Sequence, residues 1–392
     1  MKEKLDELIR FWEEADRIRK VRALLGAVIV LLTLILLILL IGGRKQETAE
    51  GQGGHLSDTA KYEEAAVSVV ESTKESEAEP VSQAEAPVEE VSLTITAAGD
   101  LTVGRDSNAP YDMSFDEAWD NNEPGWFLDN VRSYFAFDDL TIVNFEGTLT
   151  ESDEQADKTF TFKAPASYSA VLTEGSVEAV NLANNHSFDF GQSGYADTKA
   201  ALEEAGVVSF GYDRSAVMEV KGIKIGLIGI LEFYYSYEEN EALLLQEIGK
   251  VKAEGAQLII VSFHWGDEKS YYPYNEQIQL AHAAIDNGAD LVIGHHPHVI
   301  QNEEVYNGRH ICYSLGNFCF GGNVYPFDMD AVIYQQKFIF RDGVLQPDDI
   351  YQFVPIRISS ESDYNNYQPT PVDGAAADRI REKLAGNYEY SE

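Results

Sequence analysis

The stretch Leu291–Gln301, "LVIGHHPHVIQ", decides how this chain is read. It places His295, His296 and His298 within four positions, in a chain that has eight histidines. The apolar run before them reads as a buried strand, because it is short, continuous and bounded by a polar turn. Polar groups crowded at the end of such a strand lie where open α/β sheets bind ligands.

Four other runs end the same way. "SLTITAAGD" ends in Asp100, and "LTIVNFEG" carries Asn144 and Glu146. "VEAVNLANNHS" ends in Asn184, Asn185 and His186, and "AQLIIVSFHWGDE" carries His264. Helical stretches such as Gly194–Gly206 and Asn275–Ala289 alternate with these runs. That alternation predicts a parallel or mixed sheet with helices on its faces. "AVMEVKGIKIGLIGI" predicts a hairpin turning at Lys221-Gly222. "RHICYSLGNF", "AVIYQQKFIF" and "IYQFVPIRI" predict antiparallel strands of a second, mostly antiparallel sheet.

A strand-end Asp or Asn taken alone is commonly a turn or helix-capping residue, and a lone histidine is commonly a packed one. The joint pattern is different, since five of the eight histidines fall in three strand-end motifs. Converging strand ends would gather carboxylate, amide and imidazole groups into one crevice. That donor set, without thiolate, suits manganese, zinc or iron. His296 and His298 form an H-x-H pair expected to point the same way along an extended segment, toward one metal or two neighbouring ones. Glu146 or Asp100 could bridge two ions, which activate water and clamp phosphoryl or acyl oxygens. His295 is expected to face the other way, in a supporting or substrate-facing role. His282 and His310 read as packed residues and His55 as part of a spacer.

Other chemistries find no support. The sequence has no G-x-S-x-G elbow, no G-x-x-x-x-G-K-[ST] loop and no H-E-x-x-H pair. A formal net charge of −37 argues against a nucleic-acid partner. The two cysteines, Cys312 and Cys319, form no CxxC pair. They are two buried thiols or a disulfide, the first being the simpler reading.

The N-terminal part reads differently. Ala23–Ile41 is an uncharged apolar run of 19 residues, which as a helix spans roughly 30 Å, the thickness of a bilayer core. Seven Lys and Arg residues precede it, and Arg44 and Lys45 follow. Residues 1–22 are therefore expected in the cytoplasm as an amphipathic segment, 23–41 as a transmembrane helix, and the rest outside the cell. Residues 42–90 are rich in Glu, Ser and Ala and read as a disordered acidic stalk. The globular domain is expected over 91–360, followed by a partly helical tail over 361–392.

Six motifs, "GDLTVGR", "NFEGTLT", "NLANNHSFDFG", "FHWGDE", "GADLVIGHHPHVIQ" and "YSLGNF", occur in this order. In that order they resemble the bacterial poly-γ-glutamate capsule-synthesis proteins of the CapA/PgsA type, over residues 93–340. The resemblance extends to the calcineurin-like metallophosphoesterases. It implies an α/β (α+β) four-layer αββα sandwich and one or two divalent ions. The implied metal ligands are Asp100, Glu146, Asn185, His264, His296 and His298, with His186 assisting catalysis. Asn144, Asn184 and His295 would support the site. Arg105 and Lys163 are the candidates for a local basic patch that contacts the polymer. Two departures from the phosphoesterase pattern stand out: Thr102 replaces the histidine of D-x-H, and Glu146 replaces an aspartate. The implied role is a membrane-bound component of poly-γ-glutamate capsule synthesis, acting with the polymer or another envelope polymer and with other membrane subunits of a capsule synthase. Either the domain is a metal-dependent hydrolase or transferase, or it is a non-catalytic export or anchoring subunit.

Overall fold

The computed structural model describes residues 90–388, apart from Asp213, Asp348 and Asp349. The cytoplasmic segment, the transmembrane run and the stalk up to residue 89 lie outside the described residues. Among the described residues no helix is long and apolar enough to cross a membrane.

The chain forms a mixed α/β domain with two large sheets and a small three-stranded one. In the nine-stranded sheet, Glu90–Thr102 is central. It runs parallel to Leu140–Phe145, which runs parallel to Ala179–Asn181. On its other side it pairs antiparallel with Asp330–Arg341, which pairs antiparallel with Ile350–Arg357. In the six-stranded sheet, Ile223–Leu231, Leu258–His264, Leu291–His295 and Arg309–Cys312 run parallel, and two antiparallel strands form the edges.

This partition corrects the expected one. The antiparallel strands Asp330–Arg341 and Ile350–Arg357 join the first sheet, and Arg309–Cys312 lies in the second. Leu93 pairs with Phe338 and Val91 with Phe340, so one apolar face continues across the junction. Asn317–Phe320 departs from the expected pattern as well, since it runs parallel to Glu90–Thr102. The second sheet is mainly parallel. The hairpin at Lys221-Gly222 is present, and both residues have left-handed backbone, φ 50° and 81°. That geometry matches the twist of the flanking strands.

The sheets face each other across a shared core. Leu93, Ile95, Leu140 and Ile142 of one sheet meet Ile225, Leu227, Ile260 and Ile293 of the other. On the far face of the first sheet, Val143, Phe145 and Val180 pack against Phe115, Phe127 and Leu202 of helical segments. On the far face of the second, Ile228, Val261 and Val292 pack against Leu244, Ile248, Leu280 and Ala284 from the helices Tyr237–Ala253 and Asn275–Asp286. Every residue of Leu140–Phe145 and Leu258–His264 is buried, which is why these strands read as continuous apolar runs without alternation. Each such side chain contributes roughly 1.5–3 kcal/mol, and together they hold the two sheets in fixed register.

The helix Gly374–Leu384 inserts Ile380 and Leu384 into the core between the sheets. Its Lys383 and Arg379 clasp Asp330 at 2.7 and 2.6 Å. Cys312 and Cys319 are buried free thiols, on strands of different sheets.

Candidate metal centre

Parallel strands of both sheets end on one edge of the sandwich, and there the strand-end groups meet. Asp100 is reached because residue 99 is glycine. A Cβ at Gly99 would stand 1.9 Å from the carbonyl oxygen of Gly316, and the Asp100 amide donates to that oxygen at 3.1 Å. The Asp100 carboxylate is fully buried. Its Oδ1 accepts from Asn144 Nδ2 at 2.8 Å, and its Oδ2 from the His296 amide at 3.2 Å. His298 Nδ1 lies 3.2 Å from Oδ2, and His295 Nδ1 3.5 Å from Oδ1. Burial resists its ionisation, but the hydrogen bond and charge of His298 outweigh that and bring the pKa down.

His264 comes from the second sheet and faces the first. Its Nε2 lies 2.8 Å from Asn185 Oδ1 and its Nδ1 3.2 Å from Asn144 Nδ2. The neutral Nε2–H tautomer satisfies both contacts. Burial and the neighbouring histidines push the His264 pKa well below its usual value, so the ring stays neutral, as a metal ligand must. Asn144 Oδ1 in turn accepts from Asn181 at 3.0 Å and Asn184 at 3.4 Å. Asn184 also donates to the Phe145 carbonyl and accepts from the His186 amide. Asn144 and Asn184 thus fix the first-sheet ends.

Glu146 departs from this pattern of satisfied groups. Both its carboxylate oxygens are buried and neither has a hydrogen-bond donor. His186 Nε2 and His298 Nε2 each stand 3.8 Å from Oε1, beyond hydrogen-bond reach. Burial raises the Glu146 pKa to about 8, with repulsion from Asp100 and Asp189 added and His298 opposing. For His298, burial is overcome by Glu146 and Asp100, and its pKa rises to about 10. Ligand atoms of Asp100, Glu146 and His264 all lie within 4.8 Å of one another. An acid this deeply buried without a donor is costly, and a cation beside it would remove the cost. The donors are carboxylate and imidazole, with amide oxygen nearby and no thiolate, so the residues present fit a hard-to-borderline divalent ion.

The H-x-H pair is not extended. The strand ends at His295, and His296 and His298 have left-handed backbone, φ 96° and 55°, on either side of Pro297. Such backbone costs about 1–3 kcal/mol per residue. Here the bond from the His296 amide to Asp100 helps hold it. The turn brings the two rings to a centroid separation of 5.6 Å and puts His296 4.8 Å from His264. His296 Nδ1 is buried without a partner, and Phe233 packs edge-on at 4.3 Å. Burial lowers the pKa of His296 to about 3 and that of His295 to about 4. His295 is buried behind Asp100.

His186 lines a cleft of about 160 Å³ beside the cluster. Its Nδ1 meets Asp189 Oδ2 at 2.7 Å, and Asp189 Oδ1 takes the Lys158 ammonium at 2.5 Å. Lys158 also donates to the Asn185 carbonyl at 2.7 Å. Asn317 Oδ1 lies 2.8 Å from His298 Nδ1. Asp189, Lys158, Asn317 and Asn181 are the groups the sequence reading passed over. Asp189 follows His186 by three residues and Asn317 sits in "YSLGNF", which were the available signals. Arg105 and Lys163 occupy paired positions of the small sheet. Arg105 is engaged by Asp116 at 2.6 Å, and Lys163 by the Ser152 carbonyl at 2.7 Å and Asp153 at 3.5 Å.

Residues 94–322 match the family described as bacterial capsule synthesis protein PGA_cap. The chain is 31% identical over 266 residues to the capsule biosynthesis protein CapA of Bacillus anthracis, covering 61% of this chain and 63% of that one. It is 31% identical over 258 residues to the PGA biosynthesis protein CapA of Bacillus subtilis, covering 59% and 67%. The chain thus spans about two thirds or less of the length of these relatives. A purple acid phosphatase from yellow lupin seeds superposes at a TM-score of 0.31 with 10% identity, over 78% of this chain and 57% of that one. On the match over residues 94–322, this chain belongs to the bacterial capsule synthesis protein PGA_cap family.

Proposed function

We propose that this chain is a membrane-tethered, extracytoplasmic component of poly-γ-glutamate capsule synthesis, and that its domain is a metal-dependent hydrolase or transferase acting on the polymer. The apolar run 23–41 and the charge asymmetry around it support the tether and its orientation. The layering of helix, sheet, sheet and helix is consistent with the calcineurin-like metallophosphoesterase sandwich. Glu146 carries the reading of the site: a buried carboxylate with no donor, ringed by imidazoles and a second carboxylate.

Asp100, Glu146, Asn185, His264, His296 and His298 would hold one or two divalent ions, manganese, zinc or iron. A bound divalent ion supplies Lewis acidity toward a substrate carbonyl or phosphoryl oxygen. Asp189 accepts from His186 Nδ1–H and fixes the ring, so that Nε2 faces the cleft and can take or release a proton. Lys158 holds Asp189 in place. Phe162, 4.3 Å from the His186 ring, and Phe320, 5.2 Å from the His298 ring, exclude water.

A second reading, a non-catalytic export or anchoring subunit, draws on Thr102. It stands where a further histidine ligand would be, and its hydroxyl is buried without a partner. Elemental analysis of the purified full chain, with turnover assays on a model phosphodiester and on poly-γ-glutamate, separates the two readings. A chain that binds no divalent metal overturns the first. A metal-loaded chain that turns nothing over, but whose His296→Ala variant loses polymer export, establishes the second.

A further inference from the structure

The cleft beside the centre has a floor of His186, His298 and Asn317, and walls of Phe160, Phe162, Phe320 and Phe327. Two ionic groups on its rim remain unexplained. Lys269 carries its ammonium 5.7 Å from the Phe327 ring centroid, and Glu268 is its neighbour in the cleft lining. Among the described residues neither the Glu268 carboxylate nor the Lys269 ammonium has a hydrogen-bond or ion-pair partner. The rim is not a loose surface loop. Lys269 has left-handed backbone, φ 66°, and its amide donates to the Pro297 carbonyl at 2.8 Å. Pro297 is the residue between left-handed His296 and His298. Three non-glycine left-handed residues on two hydrogen-bonded loops hold this pair over the centre, the kind of backbone strain that gathers at ligand clamps.

We propose that this rim recognises an α-amino acid unit, its carboxylate on Lys269 and its ammonium on Glu268, and so binds the amino end of an amide-linked chain and not its interior. A cation beside a carboxylate presents the paired opposite charges that a zwitterion complements. The aromatic walls suit a short methylene spacer, which would direct the next carbonyl toward His186 and Glu146. An interior residue of the chain lacks the ammonium and leaves Glu268 unpaired. The proposal rests on the reading of the centre above for the fate of that carbonyl, but the binding itself needs only Glu268, Lys269 and the aromatic walls.

Titration calorimetry on the full chain tests it with three probes. D- and L-glutamine carry both head groups and a γ-amide. Glutaramate lacks the ammonium, and 4-aminobutanamide lacks the carboxylate. Glutamine of one hand is expected to bind wild type about tenfold tighter than either truncated probe, the worth of roughly one ion pair. Lys269→Ala removes the advantage over 4-aminobutanamide, and Glu268→Gln the advantage over glutaramate. Equal binding of the three probes, no binding of any, or preferences unchanged in both variants overturns the proposal. Metal content is measured on the same samples. A metal-free chain that keeps the glutamine preference would sink the metal-dependent reading and leave this one standing.

Discussion

His264 Nε2 lies 2.8 Å from Asn185 Oδ1; His264 ends a strand of the second sheet, and Asn185 lies in the turn that follows the first-sheet strand Ala179–Asn181. The centre is therefore a contact between the two halves of the sandwich. Substitutions there are expected to report on metal and on sheet alignment together.

Asp100→Ala and His298→Ala are each expected to lower metal affinity by more than the roughly 10–100-fold typical of residues that only support a ligand. Asp100→Ala also strips acceptors from Asn144 and the His296 amide, costing about 1–3 kcal/mol in the metal-free protein. Elemental analysis and thermal unfolding of the same samples check both. Unchanged metal content in both variants means the centre lies elsewhere.

The metal-free protein is expected to be most stable near neutral pH. Glu146 stays protonated in the fold up to about 8 and His298 up to about 10. Their unfolded counterparts release protons at about 4.3 and 6.5. In the fold, Glu146 thus holds an extra proton between about pH 4.3 and 8 and His298 between about 6.5 and 10, so above pH 6.5 both act together and stability falls as pH rises toward 10. His295 and His296, with pKa values near 4 and 3, stay neutral in the fold while the unfolded chain protonates. Stability therefore also falls as pH drops below 6.5. Glu146→Gln is expected to remove the stability loss that Glu146 brings between about pH 4.3 and 8, so the fall above pH 6.5 becomes shallower. Unfolding midpoints in denaturant across pH 4–10 read this directly, and an alkaline limb identical in the variant refutes the assignment.

His186→Ala is expected to lower kcat by about 10²–10⁴-fold if the ring moves a proton in the reaction, with metal content unchanged. Asp189→Asn should cost less and shift the pH–rate profile, because it releases the ring without removing it. Equal kcat in wild type and His186→Ala would favour the non-catalytic reading.

Gly99→Ala is expected to be destabilising by at least the roughly 1–3 kcal/mol of an overpacked core, because its Cβ would meet backbone at 1.9 Å. The contact involves the Gly316 carbonyl, next to Asn317 under His298, so metal affinity should fall as well. Differential scanning calorimetry and metal titration measure the two effects, and a variant as stable as wild type contradicts the strand packing described.

Legibility in the sequence followed burial. The strands that lead to Asp100, Glu146, His264 and His295 were readable because they are largely buried, which leaves mostly apolar runs. Their division between two sheets was not readable, since a buried parallel strand looks the same in either. The antiparallel strand Asp330–Arg341 was recognised as a strand but assigned to the wrong sheet, because pairing with Glu90–Thr102 leaves no local trace. The shape of "HHPH" was hidden for another reason: left-handed backbone at His296 and His298 depends on tertiary bonds to Asp100 and Lys269. Lys158 reaches Asp189 from a loop whose path no periodicity predicts.

The Asp100–His296 contact spans 196 residues of chain, and this sets an order of events. A chain emerging from its N-terminus completes Asp100, Glu146 and Asn185 early, and none of them can be closed into a centre until the strand Leu291–His295 and the turn after it exist. Until then two carboxylates destined for burial face water, where they are at ease. The final closure brings them under the imidazoles in one late step, so the centre is assembled only by the completion of the fold.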